Sequence, residues 1–348
     1  MQAVTCRDVG CFSTEEIPEP VLPGPDWVKI QVRAAGLCGS DLNKLLYSWP
    51  PEGYLNTLIL GHETAGTITE IGHEVTHFKA GDRVAIEPLL PCQHCDYCKR
   101  GNYQLCPGLK CMGRDFPGGF AQFVCVRQEE LYLLPSTMSF AEGALIDPVA
   151  AVIHCFHLLG LNVQDLTVAV VGDGFIGLIC IQVARVLGAS HIVLFGKHKF
   201  RLELGLSLGA SQAVLLSQDD RKTNSFNNSF NIVIEAVGGR QSTTLHSCIN
   251  LVSPGGVIGV LGVFDFEFIG AIPLRQAFYQ ETKIIGSNSY STWNGEREFE
   301  VALHLIRDGF VNVSSLITHR FPLGQFHQGV ETARRKAETG AIKIVFEP

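Results

Sequence analysis

Residues Leu166–Ala189 read "LTVAVVGDGFIGLICIQVARVLGA", and this segment carries the signature of a fold class. Leu166 to Gly172 is a continuous apolar run, as expected of a strand covered on both faces. Gly172, Gly174 and Gly177 then form a G-x-G-x-x-G turn, and "FIGLICIQVARVLG" continues with helical periodicity. Alone the glycine pattern is weak. Between a buried strand and a helix it reads as a dinucleotide-binding turn. Gly172 permits the tight turn, Gly174 lets backbone approach a pyrophosphate, and Gly177 lets helix and strand pack closely. The helix start at Phe175 and Ile176 offers unpaired N–H groups and a positive dipole end to phosphates.

Strand and helix alternate from about residue 151. "HIVLFG", a helix through "FRLELGLSLG", "AVLLS", a polar loop "RKTNSFNNSFN", "IVIEAVG", a further helix, "GVIGVLG" and "TKIIGS" follow in turn. About six strands predict a doubly wound parallel sheet. The first ~150 residues differ: "WVKIQVRAAG", "ETAGTITEIG", "DRVAIEPL" and "GGFAQFVCV" read as short strands between glycine and proline turns, a β-rich unit. Two helices, "GEREFEVALHLIRDG" and "GQFHQGVETARRKAETG", and a strand "AIKIVF" close the chain.

Bulk properties narrow the class. The 348 residues are 46% hydrophobic and 18% charged, enough apolar material for one or two cores. A formal net charge of -7 without basic runs suggests neither a nucleic-acid nor an anionic-membrane partner. "MQAVTCRDVGCFSTEEIPEP" has no secretory pattern, and the most apolar windows carry Asp173, Pro254 and glycines rather than a membrane span. The expected location is the cytoplasm. Twelve cysteines there read as thiols and metal ligands rather than disulfides. Cys6, Cys11, Cys111, Cys125, Cys155, Cys180 and Cys248 lack patterned spacing and read as small buried hydrophobes.

"CQHCDYCKRGNYQLC" is different. Cys92, Cys95, Cys98 and Cys106 are spaced C-x2-C-x2-C-x7-C. Four thiolates suit a closed, tetrahedral zinc site that staples a loop with little apolar surface. An iron–sulfur cluster is the rival, but ferredoxin spacing ends in a three-residue gap rather than seven.

The strand "HIVLFG" ends in Gly196, where an acid would grip the ribose hydroxyls of NAD. Lys197, His198, Lys199 and Arg201 follow. A small residue followed by cations accepts a 2′-phosphate, so NADP(H) is expected over NAD(H). The plainer alternative is a solvated basic turn with no part in cofactor choice.

"GLCGSD", "GHETAG", the cysteine loop, "GGFAQF", "LIDPVAAVIH" and "VVGDGFIG" occur in the order seen in zinc-containing medium-chain alcohol and polyol dehydrogenases. The chain resembles that family over essentially its whole length, with its nearest likeness to the sorbitol and galactitol-phosphate dehydrogenases. The resemblance implies a GroES-like catalytic domain from residues 1–150 and 289–348, with a structural zinc lobe at about 88–110. It implies a Rossmann domain at 151–288 and a homodimer or homotetramer. It implies two zinc ions per chain and a hydride exchanged between nicotinamide and a secondary alcohol of a polyol, sugar or sugar phosphate.

Carried over residue by residue, the catalytic zinc falls to Cys38, His62, and Glu63 or Asp147, the last being Cys or Glu in other members. Asp41 would orient His62, and Ser40 would accept the alcohol proton. The chain departs from the family pattern at Asn43, where many members have a proton-carrying His; an amide cannot titrate, so water or ribose hydroxyls would finish the relay. Arg114 lies where a substrate-facing loop is expected and would there meet a substrate phosphate; an exposed loop arginine is the plainer reading. A threonine-type dehydrogenase, a zinc-free quinone reductase and a non-catalytic cofactor-binding scaffold are the alternatives; the last two would lack the ligand set.

Overall fold

The structure is a computed structural model of residues 1–348, and its description covers all of them except 48–56, 217–224, 242, 266, 267, 269 and 270. Residues 221–224 of the asparagine-rich loop therefore lie outside it. The chain divides into two compact units: Met1–Pro148 with Ser291–Pro348, and Val149–Tyr290.

The second unit is built on six parallel strands. Their order across the sheet is Gln212–Leu215, His191–Gly196, Thr167–Val171, Phe230–Glu235, Val252–Val260, Lys283–Gly286. In chain order that is 3-2-1-4-5-6, the doubly wound arrangement. Its direction reverses beside Thr167–Val171, where such folds bind ligands beyond the carboxyl ends of the strands. The apolar run is buried on both faces, from Val168 at 0% to Val171 at 2% exposure, as its lack of alternation requires. Helix Phe175–Val186 begins straight after it, with Gly174 as its extended N-cap. A Cβ on Gly177 would lie 1.8 Å from the Gly172 carbonyl oxygen, so only glycine fits where helix meets strand. A Cβ on Gly174 would meet nothing within 4 Å, which leaves open space before the helix N-terminus.

The first unit is centred on a seven-stranded sheet, and its long strand Trp27–Gly36 pairs with Glu63–Ile71, Phe123–Arg127 and the chain-terminal strand Lys343–Glu347. The alternation in "WVKIQVRAAG" is matched by alternating burial, with Val28, Ile30 and Val32 inside. Its aromatic core joins distant segments: Phe120, Phe326 and Phe346 are in mutual ring contact. The last helical stretch is not one helix but two, Phe326–Arg334 and Lys336–Thr339, because Arg335 leaves helical geometry at φ -92°, ψ 30°.

All twelve cysteines are unbonded. Cys6, Cys125, Cys155, Cys180 and Cys248 are buried as expected, but Cys11 is exposed at the start of a strand just after the Gly10 turn, and Cys111 is half-buried. Among the described residues, no helix is long and apolar enough to cross a membrane.

Candidate active site

The long strand ends at Gly36, and two residues later Cys38 sits in extended conformation as the N-cap of helix Gly39–Leu46. The neighbouring strand starts at Glu63, whose register partner is Gly36. His62, just before that strand, is thereby brought beside Cys38. Ligand atoms of Cys38, His62 and Glu63 all lie within 4.8 Å of one another. Thiolate, imidazole and carboxylate converging so closely form a donor set suited to a zinc ion with a position left open.

The surroundings support that set. The Ser40 hydroxyl is 3.3 Å from the Cys38 sulfur. Asp41, fully buried in the first turn of the helix, faces His62 Nδ1 at 3.6 Å and Lys44 at 3.7 Å. Burial pulls the His62 imidazole down, but the charges of Asp41 and Cys38 outweigh it and lift it well above its ordinary value. Burial likewise pushes Asp41 up, and His62, Lys44 and Lys343 bring it below the usual carboxylate range. A carboxylate behind a metal-binding histidine fixes its ring and tautomer.

Asp147 stands outside the three-residue cluster, in the first turn of helix Ile146–Leu158. Its charge is felt at Cys111, as is that of His62. Arg114 is engaged locally: its Nε donates to Asp115 at 2.8 Å and its terminal nitrogen to the Leu109 carbonyl at 2.7 Å. Asn43 lies half-buried on helix Gly39–Leu46. Lys343, which the sequence pattern does not single out, donates to Glu63 Oε1 at 2.7 Å and to the Leu37 carbonyl at 3.2 Å. A cation in an apolar strand, "AIKIVF", is the one local sign of it.

Cys92, Cys95, Cys98 and Cys106 form a second cluster. Sulfur–sulfur separations are 3.5 Å for Cys95–Cys98 and 3.9 Å for Cys92–Cys98. A tetrahedron of ~2.3 Å zinc–sulfur bonds has edges of about 3.8 Å, so the thiols stand at the spacing a zinc ion needs. Backbone N–H groups of His94 and Cys95 pull the Cys92 thiol down to about 6, while burial and the neighbouring sulfurs push Cys98 up to about 12. Four sulfurs this close resist ionising together without a cation. The adjoining Tyr103 ties the lobe down, donating from its hydroxyl to buried Glu87 at 2.7 Å.

In the other unit, the turn after His191–Gly196 places Lys197 and Lys199 in solvent and His198 half-buried, whereas Arg201 is only 2% exposed. The backbone N–H of Lys197, the His198 ring and the Arg201 guanidinium all face Asp173, the residue between Gly172 and Gly174.

Comparison with known proteins gives a consistent likeness. Residues 24–136 match the alcohol dehydrogenase GroES-like domain, and residues 176–308 match the zinc-binding dehydrogenase family. A sorbitol dehydrogenase of Bombyx mori is 30% identical over 344 residues, covering 95% of this chain and 94% of the relative. The crystal structure of galactitol-1-phosphate dehydrogenase from Escherichia coli superposes with a TM-score of 0.87 at 28% identity, covering 100% of both chains. A Sinorhizobium meliloti 1021 protein solved with NADP bound has a TM-score of 0.88 at 28% identity, covering 100% of this chain and 99% of its own.

Proposed function

The chain belongs to the zinc-dependent medium-chain polyol dehydrogenases, NAD(P)-linked oxidoreductases of secondary alcohols, and from that premise we propose that Cys38, His62 and Glu63 hold its catalytic zinc. The observation that carries the reading is the convergence of these three donors with buried Asp41 behind the imidazole. When bound there, the zinc would supply Lewis acidity to the alcohol and the nicotinamide would supply the hydride acceptor.

The protein's own groups then have definite tasks. Ser40, against the Cys38 sulfur, accepts the proton of the substrate hydroxyl. Asp41 fixes the ring of His62. Asp147, one methylene shorter than the glutamate common at its position, acts through water. Asn43 cannot carry a proton onward, so solvent or ribose hydroxyls complete the exit. Cys92, Cys95, Cys98 and Cys106 hold a second, structural zinc, giving two ions per chain.

The glycine loop of Gly172, Gly174 and Gly177, with the N–H groups at Phe175 and Ile176, receives the pyrophosphate. Exposed Lys197 and Lys199 with His198, beside a residue without a side chain at 196, support NADP(H) over NAD(H). Arg201 contributes its charge from beneath the turn. The NADP-bound relative is in keeping with this. The substrate is a polyol, sugar or sugar phosphate, in line with the sorbitol and galactitol-1-phosphate dehydrogenases it resembles.

A homodimer or homotetramer is supported by Leu274, Phe278 and Tyr279, which are 74%, 76% and 70% exposed beside the edge strand Lys283–Gly286. Its test is the solution mass of the protein against that of Phe278→Glu. Twelve cysteines without a disulfide among them suit a reducing compartment, the cytoplasm.

The deciding experiment is a panel of polyols and sugar phosphates with both cofactors, followed by the absorbance of reduced nicotinamide. Oxidation is expected with at least one panel member and to vanish in Cys38→Ala. Activity that survives that substitution would sink the assignment.

A further inference from the structure

Gly196 ends its strand without the acid that normally meets the adenosine ribose. The structure supplies a carboxylate there from elsewhere. Asp173 Oδ2 accepts the backbone N–H groups of Lys197 and His198, both at 2.7 Å, and lies 3.0 Å from His198 Nδ1. Its Oδ1 lies 3.2 Å from the same ring nitrogen and 3.9 Å from the Arg201 guanidinium. A Cβ built on Gly196 would fall 2.5 Å from Asp173 Cβ and 2.6 Å from its Oδ2. Residues 173 and 196 are therefore alternatives: a side chain at either fills the space of the other. The second distance is about the span of two covalent bonds, the reach of an aspartate oxygen from its own Cβ.

We propose that Asp173 stands in, from the glycine loop, for the strand-end acid that Gly196 lacks, and that it sets the ratio in which the enzyme binds NAD(H) and NADP(H). This rests on the dinucleotide reading of the loop. A carboxylate oxygen has capacity for a further donor, so Asp173 Oδ1 accepts a ribose hydroxyl of NAD(H). The same negative charge opposes a 2′-phosphate, and Asp173 has already taken the two backbone N–H groups such a phosphate would use. Lys197, Lys199 and Arg201 pull the other way. The turn thus admits NADP(H) without rejecting NAD(H).

The test is direct binding of NADH and NADPH to the zinc-replete protein, read from nicotinamide fluorescence, in wild type, Asp173→Asn, Asp173→Gly, and Asp173→Gly combined with Gly196→Asp. Removing the charge is expected to shift the ratio of the two dissociation constants about tenfold or more toward NADPH. The paired exchange is expected to return it toward NADH relative to Asp173→Gly alone. If both dinucleotides weaken by one common factor in every variant, Asp173 only pins the turn and the proposal fails. If wild type binds neither, the dinucleotide reading itself has failed, a result distinct from an unchanged ratio. Should Asp173→Asn not fold, the comparison of Asp173→Gly with the paired exchange decides alone.

Discussion

Lys343 Nζ donates a 2.7 Å hydrogen bond to Oε1 of Glu63, a residue 280 positions earlier, and both side chains are almost wholly buried, at 4% and 1% exposure. The last strand of the chain thereby delivers a cation to the only carboxylate in the cysteine–histidine cluster among the described residues. Glu63 also needs Gly36 opposite it, where a Cβ would come within 2.0 Å of its Oε2. A buried carboxylate that loses its partner keeps the cost of desolvation. In chelator-treated protein, where Lys343 is the cation on Glu63, Lys343→Met is expected to lower stability by about 3–5 kcal/mol, seen in denaturant unfolding. Lys343→Arg should retain most of it. Adding Glu63→Gln to Lys343→Met should recover part of the loss, which a double-mutant cycle measures. Wild-type stability in Lys343→Met would show that the pair contributes nothing.

Metal analysis separates the two clusters. About two zinc ions per chain are expected in the replete protein. Cys38→Ala should leave about one and abolish alcohol oxidation with little change in melting. Cys95→Ser should also leave about one, but it should expose the segment 92–106 to proteolysis, because those residues have little apolar surface to hold them without metal. Equal melting of the two variants would contradict the division into catalytic and structural sites.

Glu87 anchors the cysteine lobe from beneath. It is fully buried and accepts from Tyr103 at 2.7 Å and Tyr132 at 2.9 Å, with Arg297 at 3.1 Å. Burial raises its carboxyl above the ordinary range in spite of Arg297 and the two hydroxyls. Arg297→Ala is expected to destabilise by about 3–5 kcal/mol, and Tyr132→Phe by about 1 kcal/mol, in thermal or urea unfolding. Similar effects from both would mean that the charge pair is not the dominant contact.

Glu130 makes stability depend on pH. It is 2% exposed, and burial pushes its carboxyl from 4.5 up to about 8. The folded protein holds this proton more tightly than the unfolded chain does. Stability from this group is therefore undiminished below 4.5, falls as pH rises to about 8, and is level beyond. Glu130→Gln removes that fall. The variant should match wild type near pH 4 and exceed it at pH 8 by up to a few kcal/mol, since each pH unit crossed costs the wild type on the order of one kcal/mol. Parallel stability curves across that range would refute the assignment.

Much of this was legible in local pattern. The apolar run before Gly172 announced a strand buried on both faces, and the strand and helix follow as Thr167–Val171 and Phe175–Val186. The cysteine spacing announced a four-cysteine cluster, since thiols so close in sequence need only one loop to converge. Cys38 and His62 were legible only through resemblance; strand pairing between Gly36 and Glu63 is what joins them.

Other features had no local sign. Gly196 alone reads as a missing acid, yet its bare Cα is the space into which Asp173 turns its carboxylate. Arg201 reads as one more cation of a basic turn, yet it is buried beside that same Asp173. Local pattern set which segments become strands, helices and the cysteine loop, because those depend on periodicity and spacing between near neighbours. Which charge faces which was set by long-range packing. Lys343 beside Glu63 and Asp173 at the end of a neighbouring strand depend on register and burial, and charges in a low-dielectric interior are governed by distance in space rather than along the chain.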